Sequence, residues 1–380
     1  MKKVKHLSIV ALASCFALSS CDDKNEVFDG AANLPEQEIL IPATARAADF
    51  STLRESATPA ITEAEEFAKM LALSLKDPEM RKFLKSEANK QFDGDYDILV
   101  KNVVNANIGN AKFDEKVKNS SSKGYAAGSQ AFSKALSNPL LNIAVPMLIE
   151  NWNDTKQMPL VAVAVGANEK ETKQLKAFDS NGKTYLIDAK IEPNVPVIVI
   201  ANNERVNLPG FKAGLQPSSQ KNARVNAVRN SGGMDRITYI KCPNLRDIES
   251  WYFGGPELQF DGVVYNDSFS AAFKSYTKMV SPSRNSAKNG FTLSQNLFEW
   301  HFDDNHGPDY YSQSSEMDNS GAEFKIIVGV TSGSDGPNAN ASFELTYKQQ
   351  DRNLASELIH YSSQIPKTIS DSNIIYTITQ

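Results

Sequence analysis

The feature that most constrains this chain is a change of apolar period near residue 140. Before it, Phe67, Met70, Leu71 and Leu75 recur at helical spacing behind Thr62-Glu63-Ala64-Glu65, which reads as a capping box. Asp77-Pro78-Glu79 then ends one helix and starts another. Proline suits a first turn, aspartate caps it, and glutamate faces the positive end of the helix dipole. Met80, Phe83, Leu84 and Ala88 give the second helix its apolar stripe. The pattern predicts a third short helix over 96–104, a loop over 109–123 and a fourth helix over 126–136. After residue 140 come short apolar runs rich in β-branched residues, at 140–145, 160–165 and 197–200, bounded by Pro and Gly. Asp179-Ser180-Asn181-Gly182-Lys183 separates two further strand patterns at 175–178 and 184–187, and its Asn-Gly pair predicts a hairpin. Helices followed by strands predict an α+β fold, a helical part with a small β-sheet over 61–213.

Residues 214–234 read as a linker. They hold Gln216-Pro217-Ser218-Ser219, Ser231-Gly232-Gly233 and the bases Lys221, Arg224 and Arg229, which predict ready proteolysis. From 235 to 380 strand patterns recur at 237–241, 258–265, 271–279, 291–302, 324–330, 342–347 and 374–378. Alternation is plain in Phe324, Ile326, Val328 and Val330, and again in Phe343, Leu345 and Tyr347, with a hairpin loop expected over 333–338. This spacing predicts an antiparallel β-sandwich. Residues 354–361 read as a short helix.

The first 20 residues carry Lys2, Lys3 and Lys5, then an apolar run from Leu7 to Leu18, then Leu18-Ser19-Ser20-Cys21. The run is shorter than the roughly 20 residues a membrane helix needs and fits a cleaved leader. The arrangement resembles a bacterial lipoprotein signal, which implies cleavage before Cys21 and acylation of its thiol. Cys15 would leave a shorter apolar segment. Residues 21–60 then form a flexible tether with Pro35, Pro42 and Pro59. Removing residues 1–20 removes three lysines and no acid, so the net charge falls from −5 to about −8. Such a surface repels phosphate backbones, and no nucleic-acid partner is expected. With Cys21 acylated, Cys242 stands alone, so packing and not disulfides must stabilise the body.

Chemistry concentrates in residues 299–311. Asp303, Asp304, Asn305 and Asp309 supply the hard oxygens that calcium takes six to eight at a time. The plainer alternative is a polar turn whose Asp and Asn side chains bond their own backbone. His301 and His306 lie five apart and lack the His-Glu-x-x-His spacing, which weakens zinc. Asp93-Gly94-Asp95-Tyr96-Asp97 looks like a calcium loop, but Ile98 and Val104 occupy the positions where an EF-hand needs Gly and Glu, so capping of the next helix by Asp95 is expected instead. Ser-x-x-Lys recurs too freely to mark a nucleophile, and Cys242 reads as a packed thiol. Trp251, Tyr252, Trp300, Tyr310 and Tyr311 form either a stacking platform for a protein or glycan ligand or part of the core.

The segments Leu75-Lys76-Asp77-Pro78-Glu79, Gln91-Phe92-Asp93-Gly94-Asp95-Tyr96-Asp97 and 302–310 are similar to a group of uncharacterised Bacteroidetes-type outer-membrane lipoproteins of unknown function. The resemblance implies a two-part ectodomain and brings no catalytic residues. Asp22-Asp23 after the cysteine resembles the acidic signal that sends such proteins to the cell surface; a periplasm-facing protein is the alternative. The expectation is a lipid-anchored envelope protein, membrane-bound through its N-terminal lipid, working as a non-enzymatic and calcium-assisted binding module. The competing class is a metal-dependent hydrolase using the Asp/His loop 301–309.

Overall fold

The computed structural model describes residues 37–48, 58–120, 126–207, 228–265, 272–301, 307–317, 323–331, 340–348 and 351–380. The fold is α+β, with antiparallel sheets dominating its C-terminal part. The first helix spans Pro59–Ser74. It begins four residues before the start that the Thr62 capping box predicts. Thr58 is the N-cap, its hydroxyl oxygen accepting from the Ile61 N–H at 3.4 Å. Pro59 takes the first turn, where its missing N–H costs nothing. Thr62 sits one turn inside and donates its hydroxyl to the Thr58 carbonyl. The second helix, Pro78–Ala88, starts as expected, with Asp77 accepting from the Glu79 N–H at 2.8 Å.

The third and fourth elements depart from expectation. Residues 97–99 form a strand, Asp97–Leu99, and the helix after it is a single turn, Val100–Val103. The predicted loop at 109–123 contains a helix, Phe113–Ser120, whose Phe113 and Val117 are fully buried. Two apolar residues four apart in a polar stretch are a weak periodic signal, and packing on the first helix supplies what propensity does not. The helix at Ala126–Leu136 matches its prediction.

These helices cover one face of a seven-stranded sheet. Its strands run in the order Arg46–Ala47, Thr184–Asp188, Gln174–Phe178, Val161–Val163, Ile198–Asn202, Leu141–Ala144 and Asp97–Leu99. Val161–Val163 and Ile198–Asn202 pair in parallel; the other neighbours are antiparallel. Side chains alternate across the sheet. Ile143, Val161, Val163, Ile198 and Ile200 pack with Phe67, Leu71 and Phe132 from the helices. The opposite face holds Ala144, Ala162, Ala177, Val199 and Ala201, and these small residues leave room for Trp251 and Tyr252. Both faces are buried, which is why these strands read as unbroken apolar runs. In the 174–188 hairpin Phe178 lies opposite Thr184. Asp179 accepts from the N–H groups of Asn181 and Lys183, each at 2.8 Å. The left-handed conformation falls on Gly182 (φ +79°), where a side chain would be strained.

Two four-stranded antiparallel sheets form the C-terminal part. One orders Phe291–Glu299, Met234–Lys241, Ile375–Thr379 and Lys367–Ser370; the other orders Ala272–Val280, Leu258–Tyr265, Asp309–Glu316 and Arg352–His360. Ile237, Leu297, Tyr376 and Ile378 of the first meet Leu258, Phe260, Tyr310 and Ile359 of the second in one core. Glu323–Thr331 and Asn340–Lys348 pair as the alternating pattern predicts, with Val328 opposite Phe343. The loop expected at 333–338 lies outside the described residues.

Residues 352–360 are a strand and not the predicted helix, because pairing with Asp309–Glu316 overrides the helix-forming run Leu354-Ala355-Ser356-Glu357-Leu358. Asp309–Glu316 itself is too polar to have been read as a strand, yet Ser312, Gln313, Ser314, Ser315 and Glu316 are all buried. Arg229, expected in an accessible linker, is also buried. Its guanidinium donates to Asp235 at 2.8 Å and lies over the Trp300 ring. Among the described residues, no helix is long and apolar enough to cross a membrane.

Candidate functional site

The turn between the second helix and the strand Asp97–Leu99 brings three aspartates, Asp93, Asp95 and Asp97, inside the protein. Asp95 does not cap a helix, as the sequence suggested. Its carboxylate accepts from the Tyr96 N–H at 2.8 Å and, across the molecule, from the Gly255 N–H at 2.6 Å. Asn203 donates to Asp93 at 2.6 Å and to Asp97 at 3.0 Å. Arg205, 3% exposed, faces the cluster and donates to Glu257 at 2.5 Å, with Asp95 at 3.7 Å. Its remaining N–H groups reach the carbonyls of Gly255, Pro282, Asp93 and Ser281. Glycine is needed twice here. A Cβ on Gly94 (φ +95°) would lie 2.5 Å from the Ser281 carbonyl, and one on Gly254 (φ +97°) would lie 2.2 Å from the Asp95 carboxylate.

A second acidic group adjoins the first through Glu257. Glu249, Glu257 and Glu316 are buried, and each offers a carboxylate oxygen within 4.8 Å of the others. Glu249 follows the short turn Leu245–Asp247, Glu257 precedes the strand Leu258–Tyr265, and Glu316 ends the strand Asp309–Glu316. A cavity of about 210 Å³ reaches Glu249, lined also by Glu169, Glu192, Trp251, Arg284 and Arg352.

Electrostatics follow from burial and crowding. Burial, with Asp93 and Asp95 adding to it, pushes Asp97 well above the ordinary carboxylate range. Burial raises Asp95 against the pull of Arg205. Glu257 is pushed up to about 7 by burial, although Arg205 pulls it down. Burial and then Glu169, Glu316 and Glu257 lift Glu249 far above its usual value. The Arg205 guanidinium would lose basicity by burial alone, but Glu257 and Asp95 hold it above the ordinary arginine range. The arrangement can share protons between carboxyls or gather oxygens around a hard cation.

The residues singled out from sequence fare differently. Asp303, Asp304, Asn305 and His306 lie outside the described residues. Asp309 is half-buried at the start of its strand, opposite His360. Burial raises its carboxyl while His360 pulls it down. The His360 Nδ1 accepts from the Ser362 N–H at 3.2 Å, a local turn contact. His301 lies 3.9 Å from Glu299. Four of the five aromatics are core residues. Trp251 and Tyr252 pack on the alanine-rich face of the seven-stranded sheet, and Trp300 and Tyr310 pack against each other inside the sandwich, their ring centroids 3.9 Å apart and their planes tilted by 41°. Their faces are occupied, so they form no open stacking platform; Tyr311 is half-buried, its hydroxyl donating to Gln313. Cys242 is a packed thiol, pushed up to about 12 by burial and by Glu316.

Sequence reasoning missed Asn203, Arg205, Glu249, Glu257 and Glu316. The one signal within reach was the Asp-x-Asp-x-Asp spacing at 93–97, which an EF-hand comparison set aside.

No curated protein matches the chain, and no solved structure matches it. Residues 66–259 match a family described as "Protein of unknown function (DUF3103)". That span runs from the first helix to the second residue of the strand Leu258–Tyr265, and it contains the aspartate turn, Asn203, Arg205, Glu249 and Glu257. By that match, over half its length, the chain belongs to the DUF3103 family.

Proposed function

We propose that this protein is a lipid-anchored component of a bacterial cell envelope, of the Bacteroidetes type, displayed on the outer-membrane surface and working as a binding module and not as an enzyme. The observation that carries the reading is the leader: a basic start, a short apolar run, and Leu18-Ser19-Ser20-Cys21 followed by Asp22-Asp23. Diacylglyceryl and acyl chains on Cys21 exceed what stable anchoring requires. The acidic body suits a protein or glycan partner better than nucleic acid.

Three measurements test the reading. Wild-type protein should label with palmitate and partition into the detergent phase, and Cys21→Ser should do neither. Equal partitioning of the two proteins would refute anchoring. Protease added to intact cells should cut the protein if it is displayed; full protection would favour the periplasm-facing alternative. The juxtaposition of Asp309 and His360 keeps one competitor alive, a hydrolase working from the 301–309 loop. Turnover of ester, peptide or glycoside substrates that vanishes in His306→Ala would favour that competitor over the binding module.

A further inference from the structure

We propose that Glu249, Glu257 and Glu316 hold a calcium ion inside the protein, at the seam between the helix-covered sheet and the sandwich. The inference does not depend on the lipid anchor, and it moves calcium away from the 303–309 loop that the sequence pointed to.

Three observations carry it. The first is geometry. One oxygen from each carboxylate lies within 4.8 Å of the others. Calcium–oxygen bonds run about 2.3–2.6 Å, so two ligands on opposite sides of one ion stand up to roughly 5 Å apart. The three oxygens already fit that envelope. Magnesium, with bonds of about 2.0–2.1 Å and strict octahedral geometry, takes such an all-carboxylate set less readily because it keeps several of its own waters. The second is the state of Glu249. Its residue is 4% exposed, yet among the described residues no donor reaches its carboxyl. A carboxyl this buried, turned to a cavity and without a donor of its own, is costly to keep charged, and a cation removes that cost directly. The third is access. The cavity of about 210 Å³ that Glu249 lines gives an ion a way in, and it has room for waters to complete a coordination shell of six to eight oxygens.

The surroundings favour a hard ion over zinc. Each of the three donors is a carboxylate oxygen, and among the described residues neither histidine nor thiolate joins them in a set of the kind that structural zinc takes. Arg205 engages one oxygen of Glu257 and orients that side chain, as a partner behind a metal ligand does.

The ion would act as a clasp. Glu249 and Glu257 bracket the segment that seats Trp251 and Tyr252 on the seven-stranded sheet, while Glu316 belongs to the sandwich. One ion joining them ties the two layers together.

The test uses the full chain, purified in detergent and stripped with chelator. Calorimetric titration should show one calcium per chain, and calcium should raise the melting temperature by several degrees. Magnesium should do less and zinc nothing. Glu249→Gln and Glu316→Gln should each weaken calcium binding by at least about 10-fold, the least that loss of even a partner behind a ligand costs. In the absence of metal both should melt at or above wild type, because each relieves carboxyl crowding, so a folding defect is distinguishable from a lost ligand. The pair Asp303→Ala with Asp304→Ala should keep the calcium response. A stripped wild-type chain that binds no calcium overturns the proposal whatever the variants do. It is equally overturned if the calcium response survives in both glutamine variants, or is lost in the Asp303/Asp304 pair alone.

Discussion

Replacing Arg205 with methionine would remove the cation set against the buried carboxylates while filling much of the same volume. The cost can be worked from the contacts. Arg205 donates to Glu257 at 2.5 Å and faces Asp95 at 3.7 Å, all three side chains being 5% exposed or less. Breaking a buried ion pair from one side costs about 3–5 kcal/mol, because the surviving charge stays buried. The carbonyls of Gly255 and Pro282, 2.6 and 3.1 Å from the guanidinium, lose their donor too, at about 1 kcal/mol or more each. Protonation of the abandoned carboxyl offsets part of this. The expected net loss is about 4 kcal/mol, a large share of the roughly 5–15 kcal/mol by which a domain is stable. Urea unfolding at neutral pH in chelator, followed by tryptophan fluorescence, measures it. Adding Glu257→Gln to the variant should restore at least half of the loss, since the two sites act as one unit. A loss below about 1 kcal/mol, or a double variant no better than the single one, would refute the view that Arg205 is held by, and holds, these acids.

Further predictions concern the seam and the cores. Glu192 accepts from Arg284 at 2.9 Å and from Lys288 at 2.8 Å; burial would raise its carboxyl, but these two partners together hold it below the usual glutamate range. A depressed carboxylate stabilises the fold above its unfolded pKa and loses that effect as pH falls through the folded value. Glu192→Gln should therefore cost about 1–2 kcal/mol at pH 7 and progressively less as pH falls through the acid range, read by urea midpoints along a pH series. Trp251→Ala should cost about 3–5 kcal/mol by emptying the space above the alanine-rich sheet face, and calorimetry showing under about 1 kcal/mol would contradict its place in the core. The Cys242 thiol, fully buried and pushed up to about 12, should react with a thiol reagent at pH 8 only as fast as the protein opens. Prompt modification of native protein would show that the site is accessible.

Local chemistry made part of this fold legible. Asp77-Pro78-Glu79 announces a helix start because cap, first-turn proline and dipole partner all act within three residues. The 174–188 hairpin is legible because its turn is closed by its own side chain, Asp179, with Gly182 taking the backbone angle that other residues avoid. The unbroken apolar runs at 160–165 and 197–200 announce burial on both faces without naming what covers them. The strands Asp309–Glu316 and Arg352–His360 were not legible, because polar serines and a helix-forming run are held extended only by each other and by Leu258–Tyr265. The acidic seam was beyond reach for the same reason. Glu249, Glu257 and Glu316 come from three separate turns and strand ends, and Asp95 meets Gly255 from 160 residues away along the chain. Caps, turns and period are short-range and can be written into a few neighbouring residues. The energy of a buried charge depends on every group within several ångströms, whatever its distance along the chain, and only the packed structure sets that company.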